Sequence, residues 1–339
     1  MSETEKKINK LTAGLTSKQI IALYFDDKAL VKAPDQLYLI NQRGKRLYYR
    51  FDEEGDPIFY LSLTTLISVT TPTSPFLTNW KLQKALEEGY MRAADDYARA
   101  KAAYGTFMHS EFAGLLINRV YDLDKVSEKL LDFIEKNNYP SEWINWADDL
   151  KDDILAFAQF MQLYNVTPLC IEQGFYHPDD GYATMIDLVC EMDDGDRYKS
   201  GQRAHQLKDP TSAKRITAII DFKSGRKGFF EEHEIQLHGC LNLWNIHYPD
   251  KKVDKVFNWS PKAWRTKPDF NFKDQTESQG REKLPHLVQL ARLEYKRLDS
   301  QIAVKKGMID LDKDLSENIS ICELSELVKE KHSPSKPKK

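Results

Sequence analysis

The stretch from Gly181 to Lys223 constrains this chain more than any other. It opens with GYATMIDLVCEM, runs through a polar, partly basic segment and closes with ITAIIDFKSG. Two β-rich runs each carry a carboxylate, Asp187 in the first and Asp221 in the second, and Lys223 stands two residues past Asp221. Side chains alternate along a strand, so Asp221 and Lys223 should share one face and Phe222 the other. Asp187 interrupts an apolar run, where a carboxylate is costly to bury unless it is paired or bound to a cation. With Asp187 placed at the end of an adjacent strand, two acids and a base converge. Hard divalent cations prefer such oxygen ligands, and a bound cation polarises a phosphate and lowers the pKa of water. The pattern therefore suits metal-dependent hydrolysis.

The flanking sequence implies a mixed α/β chain. Residues Gln36 to Leu63 alternate apolar and polar around turn signals, which predicts a small β-meander. Helices are expected over Thr64–Val69, Leu77–Glu88, Met91–Leu116 and Trp143–Tyr164, with Pro72 and Pro75 breaking the first. Strands are expected at Thr167–Tyr176, Tyr182–Met192, Arg215–Phe222 and Lys255–Trp259, and helices at Glu231–Trp244 and Leu284–Gln301. The long connection between the second and third strands carries Lys199, Arg203, Lys208, Lys214 and Arg215. Its length marks it as functional or disordered. It is either a solvated, mixed-charge loop or a phosphate-contacting flap, helped by Arg226 and Lys227 just past Lys223. Trp264 and Arg265 are candidates to stack on an unpaired base, although a tryptophan there is as readily core.

Composition narrows the class. The chain has 339 residues, room for one large domain or two ordinary ones. No apolar run is long enough to span a membrane, and MSETEKKINK lacks a signal-peptide core, so a cytoplasmic protein is expected. The four cysteines form no CxxC pair, which leaves no sign of a zinc site or a disulfide framework. A net charge of −3 argues against a nonspecific nucleic-acid coat while permitting a locally basic groove. No P-loop pattern is present.

Three further polar residues sit in suggestive places. His109 (YGTFMHSEF) falls on a helix, where a lone histidine is more often structural than a ligand. Glu172 (CIEQGF) interrupts an apolar strand, and Gln236 (EIQLHGCLNLW) lies on the helix after Lys223.

Taken in order, GTFMH, IEQGF, GYATMIDLV, IIDFKSG and EIQLHGCLNLW resemble the motifs of the PD-(D/E)xK nuclease superfamily, in its RecB-like exonuclease branch. The match runs from Gly105 to Trp244. The upstream LSLTTLISVTTPTSPFLTNWK resembles the segment before the histidine helix in phage exonucleases and in the mitochondrial genome-maintenance exonuclease, which extends it to Leu61.

The resemblance implies a restriction-endonuclease-like core, a mixed central sheet flanked by helices, over residues 105–305. A β-meander and helical extension over 21–104 would pack on it and close over the site, between a flexible start (1–20) and a tail (306–339). It implies that His109, Asp187, Asp221 and the Phe222 carbonyl hold Mg2+ or Mn2+, with Glu172 a further candidate ligand. Lys223 is the catalytic lysine, and Gln236 orients it or the substrate. Lys214, Arg215, Arg226, Lys227 and Arg265 are candidate nucleic-acid contacts.

The implied activity is a DNA exonuclease preferring single-stranded ends, in replication, recombination or repair, of phage origin and working with proteins of those pathways in a host cytoplasm. Cys240 stands where RecB-like members often carry Tyr, which departs from the substrate contact that the resemblance would carry over. Relatives with an iron–sulfur cluster use one upstream cysteine and three clustered late, and here only Cys322 lies late, so no cluster is expected. An endonuclease on the same core and a catalytically silent nucleic-acid-binding module are the alternatives.

Overall fold

The computed structural model describes residues 30–42, 45–226 and 228–305. The expectations for residues 1–20 and 306–339, for Lys227 and for Cys322 fall outside them.

One eight-stranded mixed sheet organises the described residues. The meander supplies β1 (Tyr38–Gln42), β2 (Lys45–Phe51) and β3 (Pro57–Ser62). After the first helices come β4 (Thr167–Tyr176), β5 (Tyr182–Asp194), β6 (Lys214–Phe222), β7 (Lys255–Lys262) and β8 (Asp269–Asp274). The order is β1-β2-β3-β5-β6-β7-β8, with β4 paired to β5 off that path. The meander is thus continuous with the main sheet through a short parallel pairing of Leu61 and Ser62 with Tyr182 and Ala183.

That pairing creates an opening. Ala183 has Tyr176 of β4 on one side and Ser62 of β3 on the other. Leu188 has Ile171 of β4 on one side and Ile220 of β6 on the other. So β3 and β6 share one edge of β5, and residues 184–187 have no partner strand on that edge.

Helices cover both faces. On one face lie α3 (Ala93–Asn118), α4 (Val126–Asn137) and α5 (Ala147–Leu163), whose Phe112, Phe157 and Phe160 join Leu188, Ile220 and Trp259 in one core. On the other lie α1 (Leu63–Thr70), α6 (Glu231–His247) and α7 (Gly280–Lys305) over Ile186, Val189 and Ile219. Ser62 starts α1 by accepting a hydrogen bond from the Thr65 amide at 3.1 Å. Gly239 lets α6 and α1 meet, since a Cβ there would stand 2.3 Å from Leu63 Cδ2. Among the described α-helices, α2 (Pro75–Glu88) alone buries no residue.

Three differences from the sequence-based expectations have physical causes. Strand β8 is unexpected: DFNFKD is short and polar between its phenylalanines, yet Phe270 is buried. Asp187 is not at a strand end but sixth of thirteen residues in β5, because pairing with β4 and β6 carries the strand on to Asp194. The long connection is ordered rather than loose. Arg197 donates to the carbonyls of Leu163, His205 and Asp193 and stacks 3.8 Å over the Tyr164 ring. No helix among the described residues is long and apolar enough to cross a membrane.

Candidate active site

A cleft of about 660 Å³ opens at the gap in the β5 edge, and Thr184, Met185 and Asp187 line it. Two groups of side chains meet in it.

The first is His109, Glu172 and Asp187, whose ligand atoms lie within 4.8 Å of one another. Nδ1 of His109, on α3, is 2.9 Å from Glu172 Oε1 and 3.7 Å from Asp187 Oδ1. Its Nε2 is 3.2 Å from the Phe222 carbonyl. Burial works against charge on the imidazole, but Asp187 and the Glu172 hydrogen bond overcome it and push His109 up to about 9. Protonated, the ring donates from both nitrogens. Burial pushes the Asp187 carboxyl up to about 6 against the pull of His109 and Lys223. Asp187 Oδ2 also accepts from the Phe222 amide at 2.7 Å.

A break in the strands brings these acids together. On β5, Leu188, Cys190 and Met192 join one core and Val189 the other, as alternation requires, but Ile186 joins the side of Val189. On β4, Ile171 and Phe175 should share a face, yet they join opposite cores. Glu172 sits in that break with φ 49, a left-handed conformation costing a non-glycine residue about 1–3 kcal/mol. It lies between the pairs Ile171–Leu188 and Gln173–Ile186, level with Asp187. Local strain is thus maintained where two carboxylates approach.

The second group is Asp221, Lys223 and Gln236. Lys223 Nζ donates to the Asp221 oxygens at 2.9 and 2.8 Å and to Gln236 Oε1, on α6, at 2.8 Å. Phe222 packs into the opposite core, as alternation predicts. Asp221 is 3% exposed, and burial raises its pKa while Lys223 opposes the rise. Asn258, level with Asp221 on β7, donates to Asp221 Oδ2 at 2.8 Å, and Gln275 donates to Asn258 Oδ1 at 3.2 Å. Asn258 was not singled out from sequence. Its signal was a polar residue between Phe257 and Trp259 in an apolar strand. Arg46, Tyr48 and Lys101, also not singled out, line the cleft.

The sequence-selected residues therefore divide. His109, Glu172, Asp187, Asp221, Phe222, Lys223 and Gln236 line one cleft. The described candidate nucleic-acid contacts do not. Lys214 and Arg215 begin β6, about 23 Å of strand from the level of Asp187. Arg215 is occupied by Asp193 (3.1 Å), the Asn165 carbonyl (2.5 Å) and Thr167 (2.7 Å). Arg226 binds Asp153 at 2.7 Å, and Tyr104 donates to the same carboxylate at 2.5 Å. Arg265 is exposed in a different cleft.

The cation-binding capacity can be judged from the donor set. Two carboxylates, an imidazole and a nearby backbone carbonyl match what a hard divalent cation accepts. The His109 proton now balances part of the acid charge. The group could hold a metal ion.

No protein-family model and no curated protein matches the sequence. Among solved structures the chain is similar to a protein from Eubacterium rectale described as a candidate exonuclease, at 13% identity and a TM-score of 0.35, over 67% of this chain and 79% of that one. A likeness that distant assigns no activity to this chain.

Proposed function

We propose that the chain is a divalent-metal-dependent deoxyribonuclease with a PD-(D/E)xK core over residues 105–305, acting as an exonuclease on single-stranded ends in replication, recombination or repair. The main support is the convergence on one cleft of His109, Glu172, Asp187, Asp221, the Phe222 carbonyl, Lys223 and Gln236. The preference for single-stranded ends and the pathway come from the motif resemblance.

His109, Glu172 and Asp187 would hold the cation with the Phe222 carbonyl beside them, and Asp221 stands next to that group. Magnesium or manganese would supply Lewis acidity toward phosphate and a water of lowered pKa. Lys223 is preorganised: with Asp221 and Gln236 fixing its ammonium, it is set to stabilise charge developing on phosphate or to position the attacking water. Asn258 orients Asp221, and Gln236 orients Lys223. Leu37, Arg46, Tyr48 and Lys101, from the proposed N-terminal extension, line the same cleft.

The test is digestion of end-labelled linear DNA and of circular DNA, single- and double-stranded, with magnesium, manganese or EDTA, beside Lys223→Ala and Asp221→Ala. The expected result is metal-dependent loss of linear single strands only, absent in both variants. Cutting of circles would replace the exonuclease with an endonuclease. No cutting of any DNA by the wild type would overturn the enzyme.

A further inference from the structure

A second cleft of about 630 Å³ begins a few residues along the segment that follows Lys223. Lys223 and Ser224 line the first cleft, and Gly228 and Phe229 line the second. Ser224 and Gly228 are four positions apart, at most about 14 Å fully extended. Arg226 anchors this partition to α5 through Asp153 and Asp149.

The second cleft is assembled from distant parts of the sequence. The tip of the long connection folds back from the β6 start: His205 stacks on Phe270 at 4.0 Å and pairs with Asp269 at 3.1 Å, and the Gln202 carbonyl accepts from Lys267 at 2.5 Å. The β7–β8 turn supplies Trp264, Arg265 and Lys267.

Its charge is one-sided. Lys199, Lys262, Arg265, Lys267 and Lys273 line it against one acid, Asp269, in a chain whose net charge is −3. Lys262 neutralises Asp269 at 2.7 Å, and His205, whose pKa burial lowers, adds only a hydrogen bond. Glu234 offsets Lys273 at 3.5 Å, so Lys199, Arg265 and Lys267 remain in excess. Among the described residues no carboxylate pairs with Lys199 or Arg265. Two aromatic residues join these cations. Trp264 is half-buried, with its Nε1 donating to the Asp152 carbonyl at 3.4 Å, and Phe229 is half-buried beside Gly228.

We propose that this cleft carries the substrate strand: it binds single-stranded DNA a few nucleotides from the cleavage point, with Arg265 and Lys199 on phosphates and Trp264 under an unpaired base. Basic groups follow the backbone in such grooves, while aromatic faces accept any base. Duplex bases are stacked on each other and cannot use Trp264. The inference rests on the proposed nuclease, because it names how that enzyme holds its substrate.

The test is fluorescence anisotropy of 5′-fluorescein oligothymidylate, twenty nucleotides long (~20, enough to span one groove), in EDTA across a salt series. Wild type is compared with Trp264→Ala and the double variant Lys199→Ala/Arg265→Ala, with thermal melting as a folding control. The double variant should lose about tenfold or more in affinity, and its log K against log salt slope should fall by about 1.4, two phosphate contacts on a single strand. Trp264→Ala should weaken binding with the slope unchanged. Unchanged affinity and slope in folded variants would overturn the groove, as would equal, Arg265-dependent binding of an oligoglutamate peptide. Should the wild type cut no DNA yet bind oligothymidylate through Arg265 and Trp264, the groove stands and the nuclease falls.

Discussion

Two clefts meet the chain at Lys223–Ser224 and at Gly228–Phe229, and they balance charge differently. One sets Glu172, Asp187 and Asp221 against His109, Lys223, Arg46 and Lys101; the other leaves Lys199, Arg265 and Lys267 in excess once Lys262 has paired with Asp269 and Lys273 with Glu234. Their construction differs too. The acidic cleft sits in the sheet itself, where a strained Glu172 and a broken alternation hold carboxylates together. The basic cleft is made by loops resting on the sheet's β8 side, with its cations mostly exposed. Positions that must hold a cation or a reacting atom need rigid support. Positions that carry a flexible polyanion do not. The excess cations of the second cleft suit a polyanion better than the balanced first cleft, and a division between chemistry and substrate retention follows.

The largest effect is expected from the acidic side. Asp187→Ala or Lys223→Ala should lower metal-dependent cleavage by about 10²–10³-fold or more. Oligothymidylate affinity in EDTA should be kept or tightened, and a parallel loss of that affinity would break the division. Next comes the partition. Asp153 is 1% exposed and ties Tyr104 and Arg226 together. Asp153→Ala should cost about 1–3 kcal/mol, the partial exposure of Arg226 limiting the loss, and chemical denaturation reads it directly. Gln236→Ala removes one of the Lys223 acceptors and should slow cleavage by about two- to tenfold, the worth of one hydrogen bond, with binding unchanged.

The acidic cleft also has a pH signature. A divalent cation must displace the protons held by Asp187, up to about 6, and by His109, up to about 9. Its affinity should therefore rise with pH over that range. The cation-free protein behaves oppositely. The raised His109 pKa contributes stability that is complete below the unfolded value of 6.5 and lost as pH rises through about 9. Melting in EDTA at pH 6 and above pH 9 checks the sign. The smallest effect is expected from Arg215→Ala, which removes partly exposed contacts at the β6 start, worth about 1 kcal/mol or less, and should leave cleavage and DNA affinity unchanged.

The same contrast explains what the sequence disclosed. Strand β4 occupies the span its apolar run predicted, Thr167–Tyr176, and Asp221 and Lys223 share a face because two-residue alternation survives at the end of β6. Glu172 was the weaker candidate because its approach to His109 depends on a left-handed residue and a slipped alternation, neither written in residue types. Arg215 looked free, but its partners include the backbone carbonyl of Asn165, and no count of charged residues registers a carbonyl. The basic cleft draws on residues 199–205, 228–229 and 262–273, so its charge density was invisible until the chain folded.

The most direct test of the acidic cleft is a Mn2+ titration followed by electron paramagnetic resonance, comparing wild type with Asp187→Asn and Glu172→Gln at constant pH above 7. The expected result is bound Mn2+ in the wild type, with affinity reduced at least tenfold in each folded variant. Equal Mn2+ binding by all three proteins, or none by the wild type even with oligothymidylate present, would contradict the assignment of His109, Glu172 and Asp187 as the metal-holding group.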